Sequence, residues 1–207
     1  MFSRGIWRAG YLPKGSAFRP QGLSNIFSRN VMNIHSKENG YTCELSSSTQ
    51  DVDSFFYRVF GSKSYIPNQA LKEQIFTHKS YKQGRVAYNE PLISLGVAVV
   101  DVSLMNHFLK DGDVANVPKY SDITRFRSPR RIASATKDWQ PESAARCMLP
   151  LLDVKSTEKP PLERVLSTTI FSLVAAIYLQ KGGQEALKFC DEHLVTQLVH
   201  QNERIEK

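Results

Sequence analysis

Acidic residues are missing from the start of this chain. Arg4, Arg8, Lys14, Arg19, Arg29 and Lys37 occur there with five serines, and Glu38 is the first carboxylate. An Arg- and Ser-rich, acid-poor beginning with scattered Ile, Trp, Leu and Phe has the composition of a mitochondrial transit peptide, and it lacks the continuous apolar run of a secretory signal. The competing reading is a basic arm that stays on the protein and binds nucleic acid. Cysteine is scarce too. Cys43, Cys147 and Cys190 are the only three and lie far apart, which excludes a zinc knuckle and a disulfide framework. Each is expected to be a reduced, buried thiol, as suits the mitochondrial matrix. Long apolar runs are also absent. None reaches the roughly 18 consecutive apolar residues of a membrane span, and the run from Leu92 to Val100 is stopped by Asp101, so no span is expected.

The lopsided start changes what the net charge means. The 207 residues include 27 basic and 20 acidic ones, for a formal charge of +7. Removing residues 1–37 takes away six basic and no acidic residues, leaving 21 against 20. The remainder is close to neutral, so any RNA contact must come from a local patch. The length suits one domain of about 150 residues plus an extension. The division expected is a transit peptide over 1–37, a Ser-rich linker over 38–51 and a folded domain over 52–204.

Helical signals dominate that domain. Phe55 to Phe60 reads as a short helix, and Asn68 after Pro67 is a good N-cap for a helix reaching Ser80. Asn89 to Leu109 reads as a long buried helix. Ser121 can cap a short basic helix, and Pro141 suits the first turn of another running to about Leu151. After Pro160 and Pro161, the residues Leu162, Val165, Leu166, Thr169, Ile170, Leu173 and Ile177 form a helical stripe. Gly182 and Gly183 end it before a last helix from about Gln184 to Arg204. No convincing strand alternation is present, so the expected fold class is all-α.

Two stretches carry more specific information: NEPLISLGVAVV at residues 89–100 and VLSTTIFSLVAAIYL at 165–179. They resemble the two metal-binding helices of the ribonuclease III family, whose patterns run roughly NERLEFLGDAVL and VLADxxEALIGAIYL. ALKEQIFTHKSY at 70–81 resembles the family's leading segment and keeps Thr77, His78, Ser80 and Tyr81. RRIASATKDW at 130–139 looks like the helix between the metal motifs, and the Gly pair with EALKF resembles the domain's end. Together these matches span about residues 52–200.

The resemblance implies a ribonuclease III endonuclease-like helical fold. It also implies that the four positions where the family carries a metal-liganding carboxylate hold Ile93, Val97, Thr168 and Phe171. Positions 93 and 97 are four apart and 168 and 171 three apart, so each pair projects from one helix face. Cleaving a phosphodiester by a two-metal route needs hard oxygen ligands that neutralise divalent cations. Ile, Val and Phe offer none and a Thr hydroxyl is a poor substitute, so no metal, no cofactor and no catalytic residue is expected. Phe171 is expected to fill the vacated site with Ile93 and Val97. Glu90 and Asp101 lie beside these positions, and Glu163 is more than a turn away. The family does not use the histidine at position 78 catalytically, so His78 is expected to be a hydrogen-bonded structural residue.

The local basic candidate is the segment from Lys119 to Trp139. Lys119, Arg125, Arg127, Arg130, Arg131 and Lys137 oppose only Asp122 and Asp138, with Tyr120, Phe126 and Trp139 interleaved. Arg forks suit phosphates, and aromatic rings stack on unpaired bases. The plainer reading is a solvated helix face with its aromatics in the core, Trp139 above all.

Loss of ligands and a mitochondrial address together suggest similarity to the non-catalytic ribonuclease III-like component of the mitochondrial large ribosomal subunit known in fungi. That resemblance implies contacts to mitochondrial ribosomal RNA and large-subunit proteins, and a heterodimer with a second ribonuclease III-like protein. The alternative is a pseudonuclease subunit of a mitochondrial RNA-processing complex.

Overall fold

The computed structural model describes residues 31–37, 40–62, 64–110, 118–151 and 162–205, with backbone alone for 31–43, 150–151 and 201–205. Residues 1–30 of the expected presequence, the Cys43 thiol, Pro160 and Pro161 lie outside what is described.

Two strands come first, β1 (Val31–Lys37) and β2 (Gly40–Ser46), paired antiparallel. Helix α1 (Thr49–Phe60) follows at once. The stretch expected to be a linker instead ends β2 at Ser46 and starts this helix at Ser48. Ser48 and Asp51 cap each other reciprocally: the Ser48 N–H donates to the Asp51 carboxylate at 2.7 Å and the Asp51 N–H donates to Ser48 Oγ at 3.2 Å, satisfying donors a helix start leaves open. Gly61, at φ 67°, ends it. Helix α2 (Gln69–Phe76) starts as expected, with Asn68 Oδ1 accepting from the Leu71 N–H at 3.1 Å. It stops at Phe76 rather than Ser80 because Thr77 is extended and bridges to Arg146.

Helix α3 (Glu90–Leu109) follows a left-handed turn at Lys82, Gln83 and Gly84. Helices α4 (Tyr120–Phe126) and α5 (Pro129–Ala135) come next. The helix expected from Pro141 to Leu151 is only a 3-10 turn, Pro141–Ser143, and the chain then extends into β3 (Cys147–Leu151). Backbone bonds impose the extension: the Arg146 N–H donates to the Phe76 carbonyl and the His78 N–H donates to the Arg146 carbonyl, both at 2.8 Å. Helix α6 (Leu162–Lys181) ends at Gly182, φ 93°. The expected last helix is α7 (Gly183–Phe189), a π-helical turn at Cys190–Val195, and α8 (Thr196–Ile205).

The molecule is mostly helical, as the fold class requires, with one three-stranded antiparallel sheet in the order β1-β2-β3 added to it. β1 occupies the last residues assigned to the presequence, so the folded part begins earlier than residue 52. The sheet has its own apolar cluster. Leu45, Cys147 and Leu149 bury against Ala145 and the first turns of α6 through Leu162, Val165 and Leu166. The larger core gathers α1, α2, α3, α6 and α7 around Phe55, Phe56, Phe76, Leu104, Ile170 and Leu173. Phe76 meets Phe55 edge-on, ring centroids 4.7 Å apart.

By length and composition α3 and α6 are both apolar enough to cross a membrane. They instead lie against each other, and α6 is buried on every side from Thr169 to Ile177. Their backbones nearly touch at Gly96: a Cβ there would sit 1.8 Å from the Phe171 carbonyl oxygen. No L side chain fits that gap without parting the helices. Gly96→Ala is therefore expected to destabilise the protein by about 3 kcal/mol, the upper part of the usual overpacking range. Thermal unfolding measures this, with the exposed Ala98→Ser on the same helix as a control that leaves the midpoint unchanged.

Candidate functional site

Of the four signature positions, Phe171 lies at the α3–α6 crossing and Ile93 and Val97 pack against the same core. Gly96 stands between Ile93 and Val97 on α3 and meets the Phe171 backbone on α6. Phe171 is only 6% exposed and belongs to the main core, while Ile93 and Val97 are half-buried and pack against that same cluster. Thr168 is half-buried, and its hydroxyl donates to the Val165 carbonyl one turn back at 2.8 Å. The site thus offers a divalent cation three hydrocarbon side chains and one hydroxyl engaged with its own helix. Such a donor set does not fit Mg²⁺ or Mn²⁺, which require several hard oxygens. Among the described residues no three His, Cys, Asp or Glu side chains come together as a metal-binding group.

The neighbouring acids are occupied elsewhere. Glu90 is exposed and pairs with Lys79 at 3.0 Å. Asp101 meets Arg127 Nε at 2.7 Å with both side chains largely buried. Burial pushes the Asp101 carboxyl above its ordinary range even though the guanidinium pulls it down. Glu163 is half-buried in the first turn of α6, away from Phe171.

The retained polar residues of the signatures work as fasteners. Asn89 is 1% exposed; its side-chain amide donates to the Ile75 carbonyl at 3.3 Å, and its backbone N–H donates to the Thr77 carbonyl at 2.9 Å. Ser172 Oγ donates to the Thr168 carbonyl at 2.8 Å and lies 3.3 Å from the Asn89 carbonyl. One asparagine thereby ties the end of α2 and the start of α3 to the middle of α6.

His78 is structural in the same sense. The Ser80 N–H and hydroxyl both reach His78 Nδ1, at 3.2 and 2.8 Å, so the ring proton is assigned to Nε2. Ser80 Oγ in turn accepts from the Met148 N–H at 2.9 Å, joining this turn to β3. Burial lowers the His78 pKa, with Lys79 adding to the effect and Glu90 opposing it.

The Lys119–Trp139 segment divides into two sets. Lys119, Arg125, Arg130 and Lys137 are exposed. Arg127 is held by Asp101, and Arg131 lies over the Phe126 ring at 5.4 Å from its centroid. Phe126 is buried, and Trp139 packs beside Phe189 with centroids 5.8 Å apart, so both belong to the core. Tyr120 remains 67% exposed.

Sequence reasoning missed Arg146. Its guanidinium donates from Nη1 to Glu73 at 2.9 Å and from Nε to the Ser47 carbonyl at 3.0 Å, while Ser47 Oγ donates to the Ala144 carbonyl at 2.6 Å. The guanidinium holds the Glu73 carboxyl below the usual range. A lone arginine between Ala145 and Cys147 gave no local signal of this role. Cys147 and Cys190 are buried thiols as expected, and burial pushes Cys190 up to about 12.

This α3–α6 crossing, with Asn89 and Gly96 at its start and centre, lies inside the stretch 68–198 matched by a family model described as Ribonuclease-III-like. The chain belongs to the ribonuclease-III-like family. A curated member of similar sequence is the large ribosomal subunit protein mL57 of Schizosaccharomyces pombe, 46% identical over 170 residues, which covers 82% of this chain and 81% of that protein. Among solved structures, the nuclease domain of ribonuclease III from Campylobacter jejuni superposes with a TM-score of 0.50 at 19% identity, covering 74% of this chain and 94% of that one. At that identity the likeness establishes the fold alone.

Two outcomes test the ribonuclease-III-like site. Phe171→Ala should leave a core cavity and cost about 3–5 kcal/mol, and Phe171→Glu should be at least as harmful because it buries a charge; chemical denaturation reads both, and unchanged midpoints would place Phe171 outside the core. For His78 the folded pKa lies below the unfolded one. As pH falls through about 6.5 the unfolded chain takes up a proton the folded chain resists, and stability drops until folded His78 itself titrates. His78→Asn keeps an acceptor but cannot titrate, so its melting temperature should fall less than wild type between about pH 7.5 and 5.5.

Proposed function

We propose that this chain is a non-catalytic, structural protein of the mitochondrial large ribosomal subunit. The observation that carries the reading is the 46% identity, over four-fifths of both chains, to a large ribosomal subunit protein. Identity at that level along both lengths is what orthologous roles leave behind, whereas a likeness to a nuclease at 19% speaks to architecture. The side chains agree: Ile93, Val97, Thr168 and Phe171 stand where the family places its metal carboxylates, so the protein holds the fold without the reaction. The acid-free start supports a matrix address, with the transit peptide ending before β1 at Val31.

Two further elements belong to the reading. Exposed Lys119, Arg125, Arg130 and Lys137 form the patch that contacts ribosomal RNA, and Arg127 and Arg131 support that surface from behind. A second ribonuclease III-like protein pairs with this one. The α3 face bearing Val102 and Leu109, 49% and 42% exposed, is apolar enough to meet it.

Sedimentation of mitochondrial lysate tests the whole. The protein is expected to travel with the large subunit, to stay there after a high-salt wash and to carry an N-terminus beyond Arg29. Val102→Asp should release the partner. Purified protein should leave double-stranded RNA intact with Mg²⁺ or Mn²⁺. Migration away from the large subunit with an RNA-processing activity, or EDTA-sensitive cleavage lost in Glu90→Gln or Asp101→Asn, would overturn the proposal.

A further inference from the structure

Tyr120 is the most exposed large apolar side chain among the described residues, at 67%. It is also tethered. Arg127 Nη2 donates to the Tyr120 hydroxyl at 3.3 Å, and Arg127 Nε is fixed by Asp101 of α3 at 2.7 Å. The Arg127 and Asp101 side chains are themselves only 22% and 17% exposed. An exposed tyrosine ordinarily turns freely about its first two torsions. Here its distal end is pinned, so the ring face is presented to solvent in one orientation and the entropy of ordering it is already spent.

The surroundings say what the face meets. Lys119 precedes it in the chain, Arg127 reaches its hydroxyl, and Arg125 and Arg130 are exposed further along α4 and at the start of α5. The acid within this stretch, Asp122, turns back to accept the Lys119 N–H at 3.2 Å. A fixed aromatic face bordered by cations fits a nucleic-acid strand better than an apolar protein surface. The strand must also be open, because a base stacks on a side chain only when its face is not covered by a neighbouring base, and a duplex shows this surface only phosphates and sugars.

We propose that Tyr120 is a stacking platform for an unpaired RNA base, with Arg127, held by Asp101, as its positioning residue. The inference rests on the RNA-contact reading above and deepens it: the RNA met by this patch is a loop, bulge or single strand.

The test uses the purified full chain and a single-stranded RNA of about 12 nucleotides with a central 2-aminopurine, beside the same sequence as a duplex. Binding should quench the 2-aminopurine. Tyr120→Ala should abolish the quench and weaken binding roughly tenfold, as loss of one stacked base does, without changing the salt slope. Tyr120→Phe keeps the ring and should retain most of the quench. Arg127→Lys keeps the charge facing Asp101 but loses the fork that reaches Asp101 and Tyr120 from separate nitrogens, and should reduce the quench while the fold melts as before. Arg125→Gln or Arg130→Gln should instead lower the salt slope by about 0.7. Tighter binding to the duplex, or an unaltered quench and affinity in Tyr120→Ala, would overturn the proposal. So would loss of a protein partner in Tyr120→Ala with RNA binding intact. Sedimentation of the wild-type protein with the large subunit separates the readings: if it sediments there while Tyr120→Ala binds RNA normally, the ribosomal role stands and the stacking platform falls.

Discussion

Contact between the backbones of α3 and α6 at Gly96 sets the geometry of everything else. With a Cβ excluded at that point, the two helices approach more closely than side-chain packing alone allows, and dispersion contacts accumulate along the seam. The consequence reaches outward. Asn89 can span from α2 to α6 only because the start of α3 is held this near. The small sheet finds an apolar surface because the first turns of α6 extend past the crossing. Position 96 admits only glycine on steric grounds, whereas position 97 carries a half-buried valine that packs against the same core.

Ile93, Val97 and Phe171 suit this crossing better than ionised groups would. Carboxylates gathered at a buried crossing are tolerable when a cation neutralises them. Without one, their desolvation and mutual repulsion cost several kcal/mol per ion. Apolar side chains carry no such cost, and Phe171 lies within the core. Thr168 satisfies its own hydroxyl on the preceding turn, so the residual polar group asks nothing of its neighbours.

What could be read in the sequence was local and periodic. Asn68 caps α2 as its side chain dictates, and both signature helices run close to the bounds their apolar spacing gives. What could not be read depends on partners far along the chain. β3 looked like a helix after Pro141 until Phe76 and His78 claimed the Arg146 backbone. β1 and β2 fell in stretches whose composition suggested a presequence and a linker, and the pairing of β2 with β3 joins residues about a hundred positions apart. The basic segment was visible as charge, but charge does not tell an outward guanidinium from one turned in: Arg125 and Arg130 are exposed, whereas Arg127 meets the half-buried Asp101 and Arg131 covers a ring.

The Arg146 fastening also dictates an order of folding. A chain emerges N-terminus first, so β1, β2 and the Ser47 corner appear long before the arginine and the Ala144 carbonyl that hold them, 99 and 97 residues downstream. Contacts so distant in sequence close late because loop entropy must first be overcome. Until then the β1–β2 hairpin has an unpaired edge on β2, the side that β3 will later cover, and an open strand edge invites association with other chains. The β1–β2 hairpin is therefore the last part of the described fold to be secured, and its open edge is exposed until β3 arrives.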